Sequence, residues 1–99
     1  MYATVRTYTG NRELADTLVE HAPEVKALIS GVDGFQGYFL IRTADGAASI
    51  SIYDDEAGTA ESTRLAAEWI RDNLPGMTIS PPAVLAGEVV IQAGALAHA

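Results

Sequence analysis

Few side chains in this sequence are suited to chemistry, and they are scattered. His21 lies three residues after Leu18 and seven after Leu14. It therefore borders the apolar stripe of a helix, where a partly buried imidazole could act as a general base. Glu20 and Glu24 stand beside it, and a hydrogen-bonded, half-exposed histidine is the plainer reading. Trp69, the only tryptophan, precedes Asn73 by one helical turn. The pair could supply the flat wall and the polar contact of a cleft between helix and sheet. Alternatively, Trp69 is core and Asn73 satisfies the helix C-terminus ahead of Pro75.

Other chemistries lack their parts. The chain has no cysteine, hence no thiolate nucleophile and no disulfide framework, and its two histidines, His21 and His98, cannot build a zinc site without carboxylates. No metal site is expected. There is no Gly-x-Ser-x-Gly elbow. Gly31-x-x-Gly34-x-x-Gly37 runs from a helix into a strand, the reverse of the order that aims a helix N-terminus at phosphate, and reads as turn chemistry. Asp54-Asp55-Glu56 lacks the alternating oxygen ligands of a calcium loop and suits the positive end of a helix dipole.

Size and charge bound what these residues can serve. Ninety-nine residues with 48% apolar and 19% charged side chains make one globular domain, read as residues 1–93 followed by a C-terminal tail over 94–99. Thirteen acidic against six basic residues give a net charge of −7, a field that repels nucleic acid. No segment reaches the ~20 apolar residues of a membrane span and the N-terminus does not read as a secretory signal, so the expected location is the cytoplasm.

The elements that must position the candidates follow from periodicity. Tyr2 to Thr9 alternates as a strand. Asn11 caps a helix whose apolar residues Leu14, Leu18, Ala22, Val25 and Ile29 keep one face in phase past Pro23, which predicts a single bent helix. Tyr38 to Thr43 and Ala48 to Tyr53 form a hairpin around Asp45-Gly46. Thr59 caps a helix from about Ala60 to Asn73, and Glu88 to Gln92 is a last strand. The order β-α-β-β-α-β with right-handed crossovers gives a ferredoxin-like α+β sandwich, an antiparallel sheet of order 4-1-3-2 with two helices on one face.

Strand parity separates two faces. Ala3, Val5, Phe39, Ile41, Ile50, Ile52, Val89 and Ile91 are uniformly apolar and are expected to face the helices. Thr4, Arg6, Tyr8, Tyr38, Leu40, Arg42, Ser49, Ser51, Tyr53, Glu88, Val90 and Gln92 form a mixed face, expected to pack against a second copy in a homodimer. On that face Arg6 and Glu88 could pair across strands. A chain this small buries roughly 60–65% of its unfolded surface, which favours self-association.

Thr4-Val5-Arg6-Thr7-Tyr8, Val32-Asp33-Gly34-Phe35-Gln36-Gly37 before the second strand, Tyr53-Asp54-Asp55-Glu56-Ala57 and the helical Trp69 together resemble the dimeric α/β-barrel superfamily, and within it antibiotic-biosynthesis-monooxygenase-like domains. The resemblance spans residues 2–92. It implies a homodimer paired through its exposed sheet face and oxidation of an aromatic or polyketide-like molecule with neither metal nor flavin, so no cofactor. It also implies a pocket between sheet and helices near Trp69, Tyr53 and His21. In that setting His21 would be the base and Arg6 or Arg42 the anion partner, with Trp69, Tyr53 and Asn73 against the ligand. Haem-degrading relatives carry an asparagine on the first strand and a histidine on the second helix; neither is present here. The alternative is a non-catalytic ligand-binding or structural dimer with the same residues merely packed.

Overall fold

The alternating segment Tyr2–Thr9 forms β1 at the centre of a four-stranded sheet. The computed structural model of the chain describes residues 1–94. After β1 come α1 (Leu14–Glu20), α2 (Ala22–Ser30), β2 (Phe35–Thr43), β3 (Gly46–Tyr53), α3 (Glu56–Asn73) and β4 (Ala83–Glu88). Every strand pairing is antiparallel and the order is β2-β3-β1-β4, as the connectivity predicts. This is the ferredoxin-like arrangement. Except for Gly94, the predicted tail lies outside the described residues. Among those residues no helix is long and apolar enough to cross a membrane.

Three elements depart most from the sequence expectation. The predicted single bent helix is two helices broken at His21 (φ −104, ψ 20), because Pro23 has no N–H for the preceding turn. The stripe still buries Leu14, Leu18, Val25 and Ile29. Helix α3 starts at Glu56, not near Ala60. Asp55 is its cap, accepting a 3.1 Å hydrogen bond from Gly58 N, while Thr59 is a buried interior residue that donates to Glu56 O. Strand β4 lies five residues upstream of Glu88–Gln92. Pro82 cannot donate to a ladder and marks where pairing begins, and Glu88 reaches the end of β1 opposite Tyr2. Arg6 therefore opposes Val84, and the expected pair with Glu88 does not form.

Two glycines allow close approaches. A Cβ on Gly46 would fall 2.1 Å from Tyr8 O, where the β2–β3 hairpin crosses β1, and one on Gly58 would fall 2.7 Å from the Tyr53 side chain. Gly58 lets the first turn of α3 lie on the Tyr53 ring, whose hydroxyl donates to Ile29 O at 2.8 Å. One side chain of β3 thus fastens the end of α2 and the start of α3 to the sheet.

The two sheet faces are the reverse of the parity assignment. Thr4, Arg6, Tyr8, Ser49, Ser51 and Tyr53 are buried beneath the helices, with Tyr38 and Leu40 packed on the same core. The strand residues of the uniformly apolar set, Ala3, Val5, Phe39, Ile41, Ile50 and Ile52, lie on the uncovered face, while Val89 and Ile91, expected in the last strand, fall beyond the end of β4. Register aligns Phe39, Ile50, Val5 and Leu85 in one row across all four strands. At the sheet edges Phe39 and Leu85 are 45% and 75% exposed. The expectation that the tyrosine-bearing face meets a second copy is thereby corrected. That face is mixed because the helix layer answers its polar groups with its own Ser62 and Thr63.

Candidate functional site

Arg6 is the unusual residue of the interior. It is 2% exposed, in the middle of β1, and points under α3. Its Nη1 donates to Ser62 Oγ (3.3 Å) and Thr63 Oγ1 (3.0 Å), and its Nη2 to Ser51 Oγ (3.1 Å). All three acceptors are neutral. No salt bridge reaches Arg6 among the described residues, and its Nε meets no acceptor. Thr4 Oγ1 and Ser49 Oγ, also buried, lack partners too. An uncompensated buried charge is costly, by several kcal/mol.

The nearby phenols do not supply the missing charge. Burial pushes Tyr8 and Tyr38 above their ordinary pKa against the opposing pull of the Arg6 charge and, for Tyr8, of a hydrogen bond from the guanidinium. Burial likewise raises Tyr53, against its hydrogen bond with Ser62 and the Arg6 charge. All three are neutral hydroxyls at pH 7. In the folded state each holds its proton more tightly than the unfolded value of 10.0. Stability from these groups is therefore complete below that pH and is lost as pH rises through the folded values. The urea midpoint should fall progressively above about pH 10; a constant midpoint from about pH 9 to 11 would contradict these burials.

Arg6 is a wall between two spaces. On one side is a cleft of ≈ 600 Å³ bounded by Arg6 and Tyr8 of β1, Val84 of β4, the C-terminal half of α3 and the 75–82 loop. Ile70, Leu74, Met77 and Ile79 make most of its lining apolar, and Arg71 stands at its rim, paired with Asp72. The volume is that of a pocket for a small organic molecule, about 300–1,000 Å³. On the other side, Arg6, Tyr8, Tyr38, Ser49 and Trp69 border a cavity of only ≈ 30 Å³, room for about one water.

The expected site near Trp69, Tyr53 and His21 is therefore almost filled. Trp69 lines the small cavity, and His21 packs edge-on against it with ring centroids 5.3 Å apart. His21 Nδ1 lies 3.3 Å from Glu24 Oε1, its side chain is 34% exposed, and it borders neither the cleft nor the small cavity. Tyr53 is fully buried in its structural bond to Ile29. Asn73, expected to face the sheet, is exposed and donates to Trp69 O at 2.9 Å, the helix-end role. Arg42 pairs at the surface with Asp16 of α1. Only Arg6 among the proposed ligand contacts reaches the ≈ 600 Å³ cleft. Among the described residues no group of histidines and carboxylates could hold a metal ion.

Sequence reasoning missed Ser51, Ser62 and Thr63 as the partners of Arg6, and the 75–82 loop as a wall. The signal was available. Thr59, Ser62 and Thr63 interrupt the apolar stripe of α3 on the side where strand parity places Thr4, Arg6, Ser49 and Ser51, and small hydroxyls on both layers match one buried donor.

Solved structures with this layout carry it at low sequence identity. The heme-degrader MhuD of Mycobacterium tuberculosis superimposes with a TM-score of 0.71 at 12% identity, over 95% of this chain and 100% of that one. A putative antibiotic biosynthesis monooxygenase from Chloroflexus aurantiacus gives 0.65 at 15%, over 94% and 96%. A monooxygenase from the gene ActVA-Orf6 of Streptomyces coelicolor, in complex with nanaomycin D, gives 0.61 at 19%, over 94% and 91%. The fold is the antibiotic-biosynthesis-monooxygenase-like fold. No family model and no curated protein matches the sequence. In this chain, the side chain that β1 sends under the helices is Arg6, with three hydroxyls holding it.

Proposed function

We propose that the chain is a monooxygenase-like protein that uses neither metal nor flavin and oxidises an aromatic or polyketide-like molecule in the ≈ 600 Å³ cleft. We propose further that it works as a homodimer closed through the apolar sheet face. The observation that carries the first reading is the buried, uncompensated Arg6 at an apolar cleft of ligand size. Neighbours of the same fold include monooxygenases, one of them holding a small organic ligand. Haem as substrate is less favoured, since β1 has no asparagine and α3 no histidine.

Without a cofactor, the substrate must itself supply electrons to oxygen. For a ring methylene made acidic by neighbouring carbonyl or phenol groups, the balanced reaction turns one methylene and one dioxygen into one ring ketone and one water. One proton leaves first, and the guanidinium stabilises the resulting anion inside a largely dry cleft. The anion passes an electron to oxygen, and recombination forms a C–O bond. Solvent returns one proton to the resulting peroxide, and the O–O bond then breaks as the second C–H proton is lost, so that hydroxide and that proton leave as water. His21 borders neither space, so the first proton departs to solvent at the open mouth.

The test is oxygen uptake with 1,8-dihydroxy-9-anthrone above the protein-free rate. One dioxygen consumed per ketone formed, with Arg6→Gln reducing kcat/KM by about 100-fold, is expected for loss of a charge-assisted contact made in the transition state. No uptake above background with such compounds would leave the second reading, a non-catalytic ligand-binding dimer.

A further inference from the structure

The ≈ 600 Å³ cleft and the ≈ 30 Å³ cavity differ in what they can hold. Val25, Leu28, Ile29, Leu40, Trp69 and Ile70 supply most of the cavity's lining, and the polar residues that border it turn little but carbon toward it. Arg6 directs its Nη groups to Ser51, Ser62 and Thr63, while its Nε and Ser49 Oγ are shut off from anything the size of water. The Tyr8 oxygen takes a hydrogen bond from the guanidinium. A buried water needs about two to four polar partners, and this lining falls short of them. An empty space forfeits the dispersion contacts of its walls, and a small apolar molecule restores them without giving up hydrogen bonds.

We infer that the small cavity is a site for dioxygen, one layer of side chains away from the cleft that takes the organic molecule. Arg6, Tyr8 and Ile70 border both spaces and form that layer. Dioxygen carries neither charge nor dipole, and at about the bulk of one water it matches the ≈ 30 Å³ available. The same figure excludes any aromatic body, so the two reactants do not compete for one space. The net charge of −7 does not oppose the entry of a neutral gas. An organic ligand that fills the cleft shuts out solvent and the gas dissolved in it. A molecule already in the cavity has only the Tyr8 and Ile70 side chains to pass. Occupation by dioxygen stands on the lining alone, and its use as a reactant rests on the oxygenase reading.

Dioxygen is paramagnetic, so methyl NMR of the wild-type protein under a few atmospheres of the gas tests the site without any reaction. The methyl signals of Leu28 and Ile29, which border the cavity and not the cleft, should relax several-fold faster than two controls. Leu14 is fully buried but borders neither space, and Val90 is exposed to dissolved gas. Ala66→Val sets two more carbons against the cavity and should abolish the excess. Val25→Ile, one carbon larger, should reduce it, and serves if the first variant does not fold. With 1,8-dihydroxy-9-anthrone, filling should raise the KM for dioxygen about fivefold and leave the KM for the anthrone unchanged. Excess relaxation in the wild type, lost on filling, supports the inference. Signals no faster than the controls, an excess that persists in a folded filling variant, or a long-lived water against the Ile29 methyls overturns it. Excess relaxation without oxygen uptake keeps the gas site and removes the oxygenase reading. Uptake without the excess does the opposite, and a KM for dioxygen indifferent to filling overturns the cavity as its source.

Discussion

Ile50→Asp is expected to turn a dimer into a folded monomer. Ile50 stands in the row Phe39, Ile50, Val5, Leu85, on the sheet face that no helix covers. Closing two such faces on each other would bury roughly 800 Å² from each subunit, the size of a stable interface. A carboxylate introduced at its centre has no cation opposite it, since the row supplies only apolar neighbours. An unpaired buried charge costs about 3–5 kcal/mol, so the dissociation constant should rise by at least about 100-fold. Sedimentation at micromolar concentration reads the mass, and circular dichroism confirms that the fold survives. Tyr38→Asp and Leu40→Asp provide the contrast. Both side chains pack on the core beneath the helices, so these variants should unfold and not merely dissociate. A wild type that sediments as a monomer, or an Ile50→Asp variant that remains dimeric, removes the proposed pairing.

Arg6→Met should lose oxygen uptake and yet gain stability. Methionine fills a similar length of the interior without a charge, and replacing buried ionic groups by well-packed apolar ones is often neutral or stabilising by about 1–4 kcal/mol. Ser62 keeps a partner through its bond to Thr59 O (2.9 Å), which limits what the substitution leaves unpaired. A gain of about 1 kcal/mol would raise the Tm by about 4–8 °C in a domain of this size. The combination matters more than either half. An arginine kept only to knit Ser51, Ser62 and Thr63 together would give a destabilised variant, and a drop in Tm would show that its role is structural.

The sequence carried the architecture much further than the site. Strand order and connectivity were legible because alternation, a hairpin signal at Asp45-Gly46 and the right-handed crossover rule each act locally or topologically, although the turn itself falls one residue earlier, at Ala44-Asp45, with Gly46 already paired to Thr43. The break at His21 and the upstream position of β4 were not legible from hydrophobic phase. An apolar stripe can continue across a missing hydrogen bond, and an edge strand takes its register from its single neighbour. The largest difference concerns which side of the sheet the helices cover. Uniform apolarity points to a helix-facing layer only when the other face meets water. A sheet that pairs with a second copy, as proposed for this one, must be apolar on the pairing face, and tolerates Arg6, Ser49 and Ser51 only where a helix layer supplies hydroxyls. The candidate site suffered from the same inversion. With the faces exchanged, Arg6 enters the interior, while His21 and Asn73 fall back to the helix surface and helix end.

Tyr53 gives the helical layer two unlike ends. Where α2 stops and α3 begins, its ring sits under Gly58 and its hydroxyl holds Ile29 O, so that end tolerates little change. At the opposite end, α3 runs out at Leu74 and the residues up to Pro82 form the cleft wall with no regular structure of their own. Ligand preference and folding are thus written in separate stretches of chain. Lengthening or rewriting positions 75–82 would let descendants of this scaffold accept differently shaped guests while the clasp at Tyr53 goes on holding the molecule together.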